Sequence, residues 1–164
     1  MGEGLAAMRY LEEAVLDARW TDGIVLRYGG FYGPGTNMAP GGELFDMIRR
    51  LRFPLIGDGG GIWSFVHIAD AAEATLAAVE HGGRGVYNIV DDDPAPVAEW
   101  LAELTDMLSG KTPRRMPRWI LRLFTGEGGV VMMTEARGAS NVRAKRELAW
   151  SPAHPSWRQG FTAP

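Results

Sequence analysis

Cysteine is absent from the 164 residues. That removes thiol nucleophiles, disulfides and thiolate metal sites together, and leaves a reducing cytoplasm as the expected compartment. There is no excess of positive charge either. The formal net charge is -3, so no basic field draws in nucleic acid or an anionic membrane. No apolar run approaches the length that crosses a bilayer. The first twenty residues interleave Arg9, Glu12, Glu13 and Asp17 with apolar positions, unlike a signal peptide. Internal repeats and low-complexity linkers are missing as well. What remains has 46% hydrophobic and 23% charged residues, a composition expected of an ordered, soluble domain.

Whole catalytic constellations are missing too. A dinucleotide fold needs glycines directly between a strand and a helix, so that a pyrophosphate can approach backbone N–H groups. Gly30, Gly33 and Gly35 follow a strand, but their spacing is wrong for the GxxGxxG type and Pro34 removes a donor. Gly57-Asp58-Gly59 leads into a strand, and Gly126-Glu127-Gly128-Gly129 follows a helix. A phenol that exchanges a proton with a carbinol wants a lysine one helical turn on (YxxxK). Four residues after Tyr10, Tyr28, Tyr32 and Tyr87 stand Ala14, Tyr32, Thr36 and Asp91. A serine nucleophile elbow and a His-Glu-x-x-His zinc motif are also missing. No residue is therefore assigned a catalytic or metal-ligating role.

The pattern that is present alternates helices and strands. Leu5, Met8, Leu11 and Val15 form one apolar helix face, and Ile24-Val25-Leu26 reads as a strand buried on both faces. A Gly/Pro-rich stretch from Tyr28 to Gly42 precedes a helix over 43–50. Short strands follow at Pro54–Gly57 and at Trp63–Ile68. Asp70, with Glu73 in capping-box spacing, is expected to cap a helix that runs to Glu80 and stops at Gly82-Gly83. Gly85–Val90 reads as a buried strand. Asp91-Asp92-Asp93 is expected to cap a helix over 95–108, with cation binding as the alternative. Arg114, Arg115, Arg118 and Arg122 are expected to form a solvated helix face or contacts to a missing domain, with an anion patch as the alternative. Short helices are expected over 130–135 and 142–148, with Met132, Met133 and the C-terminal tryptophans in the core. The class is α/β with a largely parallel sheet, and three or four strands make that sheet thin.

Four segments in order resemble the extended short-chain dehydrogenases/reductases, the NAD(P)-dependent epimerase/dehydratase family. Val25-Leu26-Arg27-Tyr28-Gly29-Gly30-Phe31-Tyr32-Gly33-Pro34-Gly35 is similar to the strand and loop after their catalytic helix. Gly57-Asp58-Gly59 through Trp63-Ser64-Phe65-Val66-His67-Ile68-Ala69-Asp70 resembles their GDG…His…Asp segment. Gly85-Val86-Tyr87-Asn88-Ile89 resembles their Tyr-Asn strand. Ser140-Asn141, with Lys145 to Pro152, resembles their closing Lys-x-x-Leu-Gly-Trp-x-Pro element.

The resemblance implies an incomplete Rossmann-type doubly wound sheet with a small substrate-binding lobe. Residues 1–164 would be the C-terminal, substrate-side portion, with the dinucleotide-binding portion upstream and absent here. It implies NAD or NADP in the full-length protein, held only weakly by these residues alone. Tyr28, Gly29 and Phe31 would border the nicotinamide. Gly30, Tyr32, Gly33, Pro34, Trp63 and His67 would border a small-molecule substrate. A Gly/Pro turn that merely redirects the chain, a Trp63 that simply packs rather than forming an aromatic ligand wall, and a structural His67 are the alternatives at those positions. Trp63 stands where many nucleotide-sugar enzymes of the family place an arginine on the diphosphate. An indole cannot neutralise phosphate, so a sugar-like substrate remains open while a nucleotide-diphosphate sugar is disfavoured.

The function implied is the substrate-binding half of an epimerase/dehydratase/reductase-like oxidoreductase, inactive as an isolated chain. A ligand-sensing or assembly protein on the same scaffold is the alternative. The expected partners are the missing half or a second copy, with no nucleic acid and no membrane.

Overall fold

The computed structural model describes residues 2–161. Two apolar cores organise them, and each is built around short strand pairs. Helix α1 (Gly2–Asp17) leads through a turn into β1 (Ile24–Tyr28), which pairs in parallel with β6 (Gly85–Ile89). Arg27 pairs with Glu12, and the Arg84 guanidinium donates to the carbonyls of Leu16, Ala18 and Thr21, fixing α1 to this pair. Leu5, Met8 and Leu11 stay exposed.

Helix α3 (Ile68–His81) carries Ala71, Ala74 and Ala78 on one face. These small side chains let it lie close against Tyr87 and Ile89 of β6. Helix α6 (Val142–Glu147) closes the same core with Ala144, helped by Leu148 and Trp150.

The second core is aromatic. β2 (Gly30–Tyr32) runs parallel to β5 (Phe65–His67), with Phe31 opposite Val66. β3 (Leu55–Ile56) runs parallel to β8 (Arg115–Met116), and β4 (Ile62–Trp63) is antiparallel to β7 (Ala95–Pro96). Around them lie α2 (Glu43–Arg49), α4 (Val97–Ser109), α5 (Arg118–Thr134) and α7 (Trp157–Gly160). Tyr32, Phe65, Trp100 and Trp157 are fully buried together. Each large ring removes enough apolar surface from water to dominate the local stability.

Several expectations are corrected. Ile24, Val25 and Leu26 are only half-buried, because β1 pairs with β6 alone among the described strands. The strand expected over Trp63–Ile68 breaks at Ser64 into β4 and β5, and the chain turns helical at Ile68. His67 caps α3, its Nδ1 accepting from Ala69 N at 3.3 Å; Asp70 sits one turn inside the helix and bonds elsewhere. Pro96 stands at the start of α4 with no side-chain cap, so Asp91, Asp92 and Asp93 do not cap that helix. The helix expected from Val130 begins at Arg118 instead and kinks at Gly126, φ 67°. Met132 is 54% exposed rather than in the core, whereas Met133, Trp150 and Trp157 are buried.

Candidate functional site

Parallel strands leave a crevice beyond their carboxyl ends, and this is where open α/β sheets hold ligands. Here the ends of β1 and β6 open into a cleft of about 610 Å³. The backbone of Tyr28, Gly29 and Gly30 forms one lip. Gly29 N donates to Ile89 O at 3.1 Å, and Gly30 N to Ser64 O at 2.9 Å. A Cβ on Gly29 would sit 2.6 Å from the Ser64 carbonyl oxygen, so only glycine lets the two segments approach this closely. The opposite lip is the loop over 136–140. Ala139 N donates to Ser64 Oγ at 2.8 Å, and Asn88 Nδ2 to Ser140 O at 3.2 Å.

Trp63 forms a wall of the cleft. Its Nε1 donates to Met132 O at 2.8 Å, and its ring packs 5.0 Å from Trp100. Trp63 and Met132 also line a neighbouring apolar cavity of about 430 Å³, with Met47, Phe53, Met116 and Met133. Of the residues expected at the substrate, Gly30 and Trp63 therefore face this cleft, and the indole stands between it and the apolar cavity.

The expected residues do not all meet there. Tyr28, Gly29, Gly30 and Trp63 line the first cleft, while Gly33, Pro34 and His67 line a separate one of about 570 Å³ beside His154 and Phe161. Tyr32 lies fully buried, its Oη donating to His154 O at 3.4 Å. Burial, reinforced by the Asp91 and Asp70 charges, pushes its phenol well above the usual range. Phe31 and Tyr28 are exposed rings 5.4 Å apart, and Tyr28 Oη shares a hydrogen bond with Thr75 Oγ1 at 2.6 Å.

Among the described residues, His67, Asp70 and His154 are the group whose donor atoms come close enough to hold a metal, all within 4.8 Å of one another. Their bonds within the protein account for the arrangement. Asp70 is buried and accepts from Ala153 N at 3.0 Å and His154 N at 2.9 Å, with His154 Nδ1 at 3.1 Å. The two imidazoles stack 3.8 Å apart. Burial first, and the neighbouring His154 second, hold His67 below the ordinary histidine value, with Asp70 opposing. The cluster ties the segment before α7 to α3.

The aspartate run works the same way. Asp91 accepts from Trp157 N at 3.0 Å and Asp93 N at 3.2 Å, and burial pushes its carboxyl up to about 7. Asp92 holds Asn141 and Lys145, and Asp93 holds Ser156 and Arg158. Three consecutive carboxylates thus anchor the C-terminal segment.

A dinucleotide's flat nicotinamide end, which supplies or accepts a hydride, would lie against exposed Tyr28 at the end of β1 if held here. The pyrophosphate is not provided for by the glycine clusters. Gly33 and Gly35 open into a loop, Gly57 to Gly61 lead into β4, and Gly126 kinks α5. Sequence reasoning did not single out Ser64, Asn88, Met132 or the 136–140 loop as cleft residues. They lie on four separate segments, and only tertiary packing brings them to one opening.

Residues 5–90 match the model of the NAD dependent epimerase/dehydratase family. The chain is 42% identical over 139 residues to the 3-diazoavenalumate denitrifying reductase of a Streptomyces species, covering 85% of this chain and 46% of that protein. It spans about half the length of this curated relative. A human epimerase family protein solved with NADPH aligns with a TM-score of 0.74 at 21% identity, over 94% of this chain and 52% of that one. UDP-glucose 4-epimerase from Thermotoga maritima, solved with UDP-glucose, aligns with a TM-score of 0.66 at 25% identity, over 96% and 48%. With the Rossmann-type strand pairs and the cleft at their carboxyl ends, these matches place the chain in the NAD-dependent epimerase/dehydratase family.

Proposed function

We propose that this chain is the substrate-side portion of an NAD(P)-dependent reductase acting on a flat, largely apolar molecule, and that it carries out no redox chemistry in isolation. The observation that carries the reading is Trp63. It presents an indole where the family's nucleotide-sugar enzymes hold a diphosphate with arginine, and it stands between the strand-end cleft and a methionine-lined cavity. Such walls favour apolar, planar ligands over polyanionic ones. The reductase named for a diazo acid, at 42% identity, supports reduction over epimerisation. In this reading Tyr28 and Gly29 border the nicotinamide, and Gly30 and Trp63 border the substrate. The proton is handled by a residue outside this chain.

The test is nicotinamide oxidation by the full-length protein, followed at its absorbance band. Planar aromatic acids should be turned over, and UDP-glucose should not. Turnover of UDP-glucose at a comparable rate would sink the reading. A full-length protein that binds both cofactor and aromatic acid without consuming either would favour a ligand sensor instead.

A further inference from the structure

We propose that the methionine-lined cavity and an arginine-lined hollow beside it form one site for an elongated amphipathic acid. The flat body lies between Trp63 and Met116, and a carboxylate or phosphate is held by Arg52, Arg114 and Arg115. This rests on the reading of Trp63 as a ligand wall and adds the class of ligand.

The two spaces adjoin. The hollow, about 380 Å³, shares Arg52, Pro54 and Met116 with the apolar cavity. The parallel pairing of β3 and β8 sets Arg115 opposite Leu55 and Met116 opposite Ile56, and Leu55 N donates to Arg114 O at 2.8 Å. Arg52 arrives from the other side. Leu51 takes a left-handed conformation, φ 56°, and Arg52 N returns to Met47 O at 2.7 Å. A branched side chain in that region is strained, and such strain persists where its surroundings hold it.

Charge separates these three arginines from their neighbours. Arg49 and Arg50 pair with Asp46, Arg118 with Asp58, and Arg122 with Glu127. Arg52, Arg114 and Arg115 have no carboxylate partner among the described residues. All three are exposed, and the lining of the hollow offers these arginines and no carboxylate. Guanidinium is the planar donor that fits carboxylate and phosphate. The cavity next to them offers about 430 Å³ of apolar space, within the range that small organic ligands occupy. An apolar ligand alone leaves the arginines unused, and a bare anion leaves the cavity empty. An amphipathic acid fills both.

Calorimetric titration of the full-length protein with trans-cinnamate, its neutral amide and inorganic phosphate tests this. Cinnamate is expected to bind about tenfold or more tightly than the amide. Arg114→Gln with Arg115→Gln, which line the hollow and not the apolar cavity, should remove that difference while leaving amide affinity and the thermal midpoint unchanged. Phosphate should compete with cinnamate in the wild type and not in the double variant. Equal binding of acid and amide, or cinnamate affinity untouched by the double variant, overturns the proposal. If Trp63→Ala leaves both affinities unchanged, the flat-ligand wall itself falls, whatever the arginines do.

Discussion

The indole nitrogen of Trp63 donates to the carbonyl of Met132, 69 residues later, at 2.8 Å. This bond joins β4 to the end of α5 across the boundary between the strand-end cleft and the apolar cavity. Trp63→Phe keeps an aromatic wall but removes the donor. A cost of about 0.5–1.5 kcal/mol is expected from the lost bond, which lies exposed to water. Urea unfolding measures it, and a midpoint identical to wild type would show that the bond is not needed to set the wall.

Asp70 gathers two backbone amides and one imidazole from a segment 83–84 residues away. Asp70→Ala removes the acceptor of two part-buried N–H groups, so a loss of about 1–3 kcal/mol is expected. The segment before α7 should become the first site of limited proteolysis. Unchanged cleavage there would refute the latch.

Asp91 gives the fold a pH dependence of definite sign. Burial raises its carboxyl from 3.8 to about 7, so between those values the folded state keeps a proton that the unfolded chain has released. Its stabilising contribution is complete below about pH 4 and is lost as pH rises through about 7. His67, held below its ordinary 6.5, acts oppositely and favours the folded state less as pH falls below that value. The thermal midpoint of wild type should therefore drop more between pH 5 and 8 than that of Asp91→Asn. Parallel profiles would contradict this.

How much of this was legible in the sequence depends on the range of each interaction. Helices α2, α3 and α6 and strands β3 and β6 follow from local periodicity and glycine stops. The aspartates misled because Asp70, Asp91 and Asp93 have side chains and positions that suit caps. Instead they bind amides and side chains of 153–158, and such partners leave no mark at nearby positions. Gly126 to Gly129 look like a helix end, yet one residue with positive φ lets α5 resume. Trp63 was legible as a substitution within a motif. Its partner Met132 was not, because a methionine in a helical run reads as core.

Leu5, Met8 and Leu11 are exposed along α1, an apolar stripe of the kind that soluble surfaces keep small. The 164-residue chain should self-associate with rising concentration in light scattering. Replacing all three by lysine should restore a monomer. A monomeric wild type at high concentration would show that the stripe is tolerated.

Gly33 has φ 98° and faces the His67 ring. Gly33→Ala is expected to cost about 1–3 kcal/mol through the strained backbone alone, with further displacement of His67. Thermal unfolding reads the cost, and an unchanged midpoint would mean that the loop over 33–42 relaxes freely.

Trp63 packs 5.0 Å from Trp100 against the aromatic core as well as lining the cavity, whereas Met47 and Met116, partly buried like it, are flexible thioethers on the same wall. Exchanging the tryptophan would therefore disturb folding and ligand preference together. Unbranched thioethers can be traded for one another's shapes at little structural cost. New ligand preferences in this lineage should accordingly arise by drift at the methionines, with the indole kept as a fixed partition.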